Sequence, residues 1–349
     1  MCYTGAMQEK LLFWYDQNAR ELPWRVRNGR PDPYRVWISE VMLQQTRAEA
    51  VIPYFERFLR TLPDIPSLAA ADEDTLYRLW EGLGYYSRVR NLSRAARVLT
   101  QSFGGTLPGD YDTLCTLPGI GDYTAGAIAS IAFGQPVPAV DGNVLRVFAR
   151  YFSDARDILS PSVRRDIRAQ AARELPATRP GDFNQALMDL GASVCIPNAA
   201  PRCGLCPLRE TCAGYADGTA ALLPNRAPKK PRRIEPLTVF VLRCGSRAAL
   251  SRRGENGVLA GQWELPNVPG ALLPDEAAAV LRGWGLEPEI LEPLPPARHI
   301  FTHLEWRMTG YSVRVRAESD GLSWFCPDAL LTQIALPSAF RAYRGYLTD

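Results

Sequence analysis

The chain has 349 residues, of which 46% are hydrophobic and 22% are charged, so it is long enough for about two globular domains. Its net charge of +3 is too small to indicate a nucleic-acid partner by itself. The apolar run at residues 11–15 is too short to span a bilayer and lacks a signal-peptide cleavage pattern. We therefore expect a cytoplasmic protein with no membrane partner.

The pattern of apolar and turn-forming residues differs between the first and the last part of the sequence. Residues 7–215 show short amphipathic stretches separated by Pro and Gly, which predicts an all-α domain over residues 1–221. Residues 222–236 are rich in Pro, Lys and Arg and read as a linker, which is usually a solvated stretch and less often one that touches phosphates. Two β-branched runs at 237–243 and 311–316 flank a helix predicted at 274–285. Residues 237–349 are therefore predicted to form an α+β domain, and the chain to be multidomain.

Glu40 is the first candidate for chemistry along the chain. At helical spacing it shares a mostly apolar face with Val36, Trp37 and Leu43. A carboxyl on such a face loses solvent, and this raises its pKa and favours the protonated form. For an isolated glutamate, a salt bridge or a helix cap would be the simpler explanation.

A glycine pair and an aspartate follow. In residues 117–125, Gly119 and Gly121 bracket one apolar residue and lead into a helix, whose N-terminus offers free N–H groups to a phosphate. The same pattern also fits a plain turn between two helices. About twenty residues later comes Asp141, which by itself is best explained as a helix N-cap.

Four of the eight cysteines are clustered within eighteen residues, with spacing x7, x2 and x5. Such clustering is a strong metal signal. Zinc modules usually combine two C-x2-C pairs, or cysteine with histidine, but here there is one pair and no histidine before position 299. An iron–sulfur cluster is therefore favoured over zinc, with the ligands Cys195, Cys203, Cys206 and Cys212.

Taken in order, these features resemble the helix-hairpin-helix DNA glycosylases, and in particular the MutY-type adenine DNA glycosylases. The resemblance implies a helix-hairpin-helix glycosylase domain that holds a [4Fe–4S] cluster and excises adenine paired with 8-oxoguanine or guanine in double-stranded DNA. It implies that Glu40 is the general acid, that Asp141 stabilises or traps the sugar cation, and that Tyr123 and Asn143 position them. We expect a monomer without a nucleotide cofactor.

Tyr123 narrows the choice within the superfamily. The lyase members carry a lysine at this position, whose amine can form a Schiff base with the sugar, whereas a phenol cannot. Tyr123 therefore indicates a monofunctional glycosylase. The alternatives are a bifunctional pyrimidine glycosylase/lyase like endonuclease III, and a non-catalytic DNA-binding scaffold.

The same resemblance suggests DNA contacts. Gln45 and Tyr85 correspond to residues that wedge into the duplex beside the lesion, although Tyr85 could equally be a core residue. Gln185 lies where the family contacts the adenine edge. Seven residues lie between the first two cysteines, one more than is usual in the family, and we expect a bulge within residues 197–201 to absorb the difference.

Residues 254–266 resemble the entry of Nudix-like domains. The glutamate-rich helix that binds Mg²⁺ in Nudix hydrolases is missing, so we expect this domain to recognise a ligand rather than to hydrolyse one. In the MutY-type enzymes a Phe-Ser-His loop reads 8-oxoguanine. The matching residues here are Phe301, Thr302 and His303, and Thr302 retains the hydroxyl.

Overall fold

The structure is a computed structural model that describes residues 6–26, 29–228 and 231–348. The chain divides into two compact units, Met1–Ala71 with Arg90–Pro228, and Asp72–Val89 with Lys229–Asp349. The second division falls inside the stretch predicted as a linker. The grouping of Asp72–Val89 with the C-terminal unit was not predicted, because nothing in that local sequence distinguishes it from the helices around it.

The first unit is helical, as predicted. Its first four helices are α1 (Ala6–Asn18), α2 (Pro33–Leu43), α3 (Ala48–Thr61) and α4 (Ile65–Ala70). The next helix, α5 (Glu73–Trp80), belongs to the second unit, and α6 (Ser87–Ser102) runs across the division between the units. The first unit continues with α7 (Tyr111–Cys115), α8 (Asp122–Ile131), α9 (Gly142–Tyr151), α10 (Pro161–Glu174), α11 (Pro180–Ser193) and α12 (Ala213–Ala216). Within the described residues, no helix is both long enough and apolar enough to cross a bilayer.

Helix α11 is at the centre of the first unit. It packs against α1, α8 and α9, and α8 in turn packs against α2. The core between these helices contains the fully buried residues Leu11, Phe148, Phe183 and Leu187. This packing brings the end of α2, the start of α8 and the start of α9 to one place, where the candidate catalytic residues lie.

The second unit contains one mixed sheet. Its strands are β1 (Arg233–Cys244), β2 (Arg247–Arg252), β3 (Trp263–Glu264), β4 (Asn267–Pro269), β5 (Pro288–Ile300), β6 (Leu304–Val315) and β7 (Ser323–Phe325). The order is β3-β2-β1-β6-β5, with β4 paired to β1 and β7 paired to β2. Strand β1 begins four residues before the predicted domain start, because Arg233 pairs in parallel with Leu304 of β6.

Alternation along β1 explains how the sheet is covered. Val239 and Val241 face one apolar cluster, which includes Phe340 of the 3₁₀ segment Ser338–Leu347. Phe240 and Leu242 face the opposite cluster, which includes residues of α13 (Pro274–Gly283). Helix α14 (Pro327–Thr332) precedes the 3₁₀ segment. Helix α13 ends two residues before the predicted end, where Gly285 takes a φ of +75° and the chain leaves the helix.

Candidate active site

Glu40 lies at the buried end of α2 with 5% of its surface exposed. Its carboxylate accepts a very short hydrogen bond from the hydroxyl of Tyr123, in the first turn of α8. Burial raises the pKa of Glu40 to about 7, even though the Tyr123 hydrogen bond and the charge of Arg25 lower it, and nearby Asp141 adds to the increase. Glu40 is therefore a carboxyl that can hold or release a proton near neutral pH.

Asp141 is a helix N-cap, as its local sequence predicts, and it also lies near Glu40. It is the N-cap of α9, and one carboxylate oxygen accepts from the N–H groups of Asn143 and Val144, at 2.8 Å each. The other oxygen accepts from Nδ2 of Asn143 at 2.7 Å. Burial raises the pKa of Asp141, while these donors favour its anion.

Hydrogen bonds continue from Asp141 towards the cysteines. Asn143 Oδ1 accepts from Nη2 of Arg146 at 2.9 Å, and Arg146 Nε donates to the carbonyl oxygen of Cys195 at 2.9 Å. Arg146 Nη2 also donates to the carbonyl oxygen of Gly191, at 2.8 Å. The amide of Asn143 is thereby held in one orientation, and the Asp141 site is connected to the start of the cysteine segment.

The four clustered cysteines are free thiols that line one cavity. Arg150 closes one side of it, with Nη1 3.4 Å from Cys195 Sγ and 2.9 Å from the carbonyl oxygen of Ile196. Among the described residues, no three His, Cys, Asp or Glu side chains are grouped in a way that could hold a metal ion. Four thiols around one cavity are nevertheless a donor set that suits a larger iron–sulfur group.

The loop between the first two cysteines contains a tight turn. Asn198, inside residues 197–201, has a φ of +57°. The N–H of Arg202 donates to the carbonyl oxygen of Val194 at 2.9 Å, which closes the loop just before Cys203. An asparagine tolerates the left-handed region better than most residues, so this turn can absorb the additional residue.

The hairpin between α7 and α8 has two different glycines. Gly119 has a φ of +77°, and a Cβ atom there would lie 2.5 Å from Cβ of Asn91. Gly121 is the N-cap of α8, with a φ of −96° and open space where a Cβ would be. The tight hairpin therefore requires glycine at 119 only, while Gly121 leaves the N-terminus of α8 open to an anion.

A buried ion cluster beside the site was missed by the sequence analysis. The carboxylate of Asp189 on α11 accepts from Nε of Arg20 at 2.7 Å and from both terminal nitrogens of Arg25, at 2.6 and 2.9 Å. Both arginines also line a cavity of about 650 Å³ together with Gln185 and Trp24. Glu40 and Asp141 do not line this cavity, but Arg25 is near enough to affect the pKa of Glu40.

Gln45 and Tyr85 share an unusual backbone conformation. Gln45 has a φ of +59° just after α2, and Tyr85 has a φ of +49° in the turn before α6. Both side chains are exposed, so neither is held by core packing. Left-handed conformations of bulky residues cost free energy and concentrate at functional sites. The geometry of Tyr85 does not support the alternative that it is a core residue.

The Phe301–His303 loop joins β5 to β6 in the second unit. Phe301 is partly buried and packs edge-on against Trp306, with ring centroids 4.9 Å apart, while Thr302 and His303 are exposed. Within the same unit, the hydroxyls of Thr302 and Tyr85 lie 3.2 Å apart. Phe301 thus fixes the loop to the sheet, and the polar side chains of Thr302 and His303 remain exposed to solvent.

The predicted basic linker supports this loop. Nε of Arg232 donates to the carbonyl oxygen of Phe301 at 3.1 Å, and the N–H of Arg233 donates to that of His303 at 3.2 Å. Lys229 and Lys230 lie outside the described residues.

Glu276, the glutamate of the predicted Nudix-like region, caps its own helix. Its carboxylate accepts from the N–H of Leu273 at 2.8 Å.

Known protein families match two parts of the chain. A family model described as HhH-GPD superfamily base excision DNA repair protein matches residues 38–171, and one described as NUDIX domain matches residues 238–344. The chain is 36% identical over 98% of its length to an adenine DNA glycosylase of Mus musculus, 78% of which it covers. It is 34% identical over 97% of its length to that of Homo sapiens, with 74% covered.

The chain belongs to the adenine DNA glycosylase family. Among solved structures, it resembles a thermostable thymine-DNA glycosylase with a TM-score of 0.54 and 28% identity, over 60% of this chain and 95% of that one. Membership of this family confirms three predictions: a helix-hairpin-helix domain followed by a Nudix-like domain, an enzyme rather than a scaffold, and a role in base excision repair.

Proposed function

We propose that this enzyme hydrolyses the N-glycosidic bond of adenine paired with 8-oxoguanine or with guanine. The observation that carries the proposal is the state of Glu40. It is a buried carboxyl whose pKa is raised to about 7, held by Tyr123 and close to Asp141. An acid poised near the working pH and next to a second carboxylate is what glycosidic bond cleavage requires.

In the proposed reaction, protonated Glu40 donates its proton to a ring nitrogen of adenine, such as N7. The C1′–N9 bond then breaks, and its electron pair leaves with the base. The carboxylate of Asp141 stabilises or traps the resulting cationic sugar carbon. Water adds to C1′ and gives a proton back to the Glu40 carboxylate, so the acid is restored and an abasic site remains.

The supporting residues keep the two carboxyls in place. The Tyr123 hydroxyl fixes one oxygen of Glu40, and Asn143 fixes one oxygen of Asp141. A lyase step would need an amine at the sugar. The lysines of this sequence are Lys10, Lys229 and Lys230, and Lys10 is paired with Glu210 at 2.7 Å. We therefore propose a monofunctional reaction.

Double-stranded DNA is the proposed substrate. The open N-terminus of α8 behind Gly121 offers N–H groups to a backbone phosphate, and Gly119 allows the hairpin its tight turn. Gln45 and Tyr85, both exposed and left-handed, enter the duplex beside the rotated base. By the family resemblance, Gln185 is the proposed contact to the adenine edge.

The Phe301–His303 loop is the proposed reader of 8-oxoguanine. Thr302 and His303 are exposed and can donate or accept hydrogen bonds at a base edge, while Phe301 anchors the loop on Trp306. The hydroxyl of Thr302 lies 3.2 Å from that of Tyr85, the proposed wedge, and this contact supports a shared role for the two residues. We propose that this pair recognises the lesion strand opposite the adenine.

We also propose that Cys195, Cys203, Cys206 and Cys212 hold a [4Fe–4S] cluster. The cluster would supply a covalent crosslink for the segment that follows α11. Arg146 donates to the carbonyl oxygens of Gly191 and Cys195, and Arg150 donates to that of Ile196, so the two arginines would keep this segment in place. Purified protein should be coloured and contain about four iron atoms per chain. Colourless protein that contains zinc would contradict this assignment and leave the glycosylase proposal intact.

A single-turnover assay tests the substrate assignment. Duplexes that differ only in the base opposite adenine (8-oxoguanine, guanine, cytosine or thymine) are incubated with excess enzyme, and abasic sites are cleaved with alkali. We expect release of adenine to be fastest opposite 8-oxoguanine, with no enzyme–DNA adduct trapped by borohydride. Equal rates opposite all four bases would contradict the lesion assignment, and a trapped adduct would indicate a lyase.

A further inference from the structure

Asp189 is a charged side chain inside the first unit that the proposed reaction does not use. It lies on α11, and its side chain is 1% exposed. Its two oxygens accept from the backbone and side chain of Arg20, at 3.1 and 2.7 Å, and twice from Arg25, at 2.6 and 2.9 Å. Burial alone would raise the pKa of Asp189, but the hydrogen bonds and charges of the two arginines lower it below its usual value.

Arg25 connects this carboxylate to the catalytic site. Its side chain is 11% exposed, and it interacts electrostatically with both Asp189 and Glu40. The other titratable groups that affect Glu40 are Tyr123 of α8 and Asp141 at the start of α9. Tyr123 and Asp141 are both proposed members of the catalytic machinery. Arg25 is the remaining group, and a residue that binds Arg25 can therefore change the electrostatic environment of Glu40.

We propose that Asp189 is a positioning residue that holds Arg25 and offsets its charge, and thereby sets how much of Glu40 is protonated at neutral pH. This inference rests on the proposed role of Glu40 as the acid. The cluster of Asp189, Arg20 and Arg25 has a net charge of +1 as it stands. Without the carboxylate it would have a charge of +2 beside a group that must hold a proton.

The sign of the effect follows from Coulomb's law. A more positive environment stabilises the carboxylate of Glu40 and lowers its pKa, so fewer molecules are protonated at neutral pH. Tyr15 of α1 faces the same cluster, but burial raises the pKa of its phenol to about 12, so it is neutral at pH 7 and does not compensate. Loss of Arg20 has the opposite effect, because Asp189 then offsets Arg25 alone.

The test is a titration of Glu40 in the full-length protein, followed by the ¹³Cδ signal of labelled glutamate and assigned by its absence in Glu40→Gln. We expect Asp189→Asn to lower the titration midpoint by about one pH unit, as expected for an added charge near a buried carboxyl. Arg20→Gln should raise it, and the double variant, which restores the net charge of +1, should return towards the wild-type midpoint. Changes of the midpoint in opposite directions cannot arise from misfolding.

The second readout is the rate of adenine release as a function of pH. We expect Asp189→Asn to be about tenfold slower than wild type at pH 8 and nearly equal at pH 5.5, since lowering the midpoint by one pH unit reduces the protonated fraction about tenfold at alkaline pH. Asp189→Glu, which keeps the charge, should restore the wild-type profile. An unchanged Glu40 midpoint, or an equal loss of rate at every pH, would overturn the inference. Altered midpoints in a protein that releases no adenine would instead refute only the proposed function.

Discussion

The two regions proposed to act on DNA hold their side chains in different ways. Glu40 is 5% exposed, and Asp141 accepts three hydrogen bonds from the start of its own helix. Thr302 and His303, by contrast, are exposed on a loop between two strands. Buried catalytic residues depend on fixed positions and on fixed protonation states, whereas the side chains of an exposed loop make their contacts only when DNA binds. Substitutions should therefore be far more costly in the first region than in the second.

The largest expected effect is that of Glu40→Gln. Glutamine keeps an oxygen that can accept from the Tyr123 hydroxyl, but it has no proton to donate. We expect single-turnover release of adenine to fall by about 10² to 10⁴, the usual contribution of a general acid. Duplex binding, measured by gel shift, should stay within about threefold of wild type and serves as the control. A nearly wild-type rate would remove Glu40 from the mechanism.

The hairpin offers a matched pair of substitutions with an intermediate effect. In Gly119→Ala the new Cβ would meet Asn91 at 2.5 Å in a left-handed conformation, whereas in Gly121→Ala it would enter open space. We expect the first to lower the free energy of unfolding by about 1–3 kcal/mol and to weaken binding to undamaged duplex.

The second substitution, Gly121→Ala, should leave stability nearly unchanged. Thermal melting and fluorescence anisotropy with a labelled duplex measure the two properties in parallel. Equal losses of stability and of duplex binding in both variants would contradict the conclusion that only position 119 requires glycine.

The smallest expected effect concerns the loop of the second unit. Thr302→Ala combined with His303→Ala should reduce the preference for 8-oxoguanine over guanine by about tenfold, equivalent to the loss of one or two hydrogen bonds. Release of adenine opposite guanine should be almost unaffected, and Thr302→Ser, which keeps the hydroxyl, should behave as wild type. An unchanged preference in the double variant would exclude this loop as the reader.

Motifs with a fixed local spacing were predictable from the sequence. The helical face of Glu40, the glycines of the hairpin and the cysteine spacing all lie within short segments, and the structure places Glu40 and Asp141 together, as the family resemblance implied. The two-domain fold was predictable for the same reason, because the change from helical to alternating periodicity is itself local.

Long-range ion pairs and backbone strain were not predictable. Asp189 meets Arg20 and Arg25 across more than 160 residues of sequence, and no local pattern records such a pairing. The left-handed conformations of Gln45 and Tyr85 oppose the preferences of both residue types, so they arise from tertiary structure. Strand β1 extends into a basic stretch that looks like a linker, because pairing with β6 outweighs its weak strand propensity.

The pH dependence of single-turnover adenine release by the wild-type enzyme tests the central claim most directly. Burial raises the pKa of Glu40 to about 7, so the acid is protonated below that pH and loses its proton above it. At saturating enzyme, the rate should be level below pH 7 and fall about tenfold per pH unit above it. This break should be missing from the residual activity of Glu40→Gln. A rate that stays constant between about pH 6 and 9 would contradict the account.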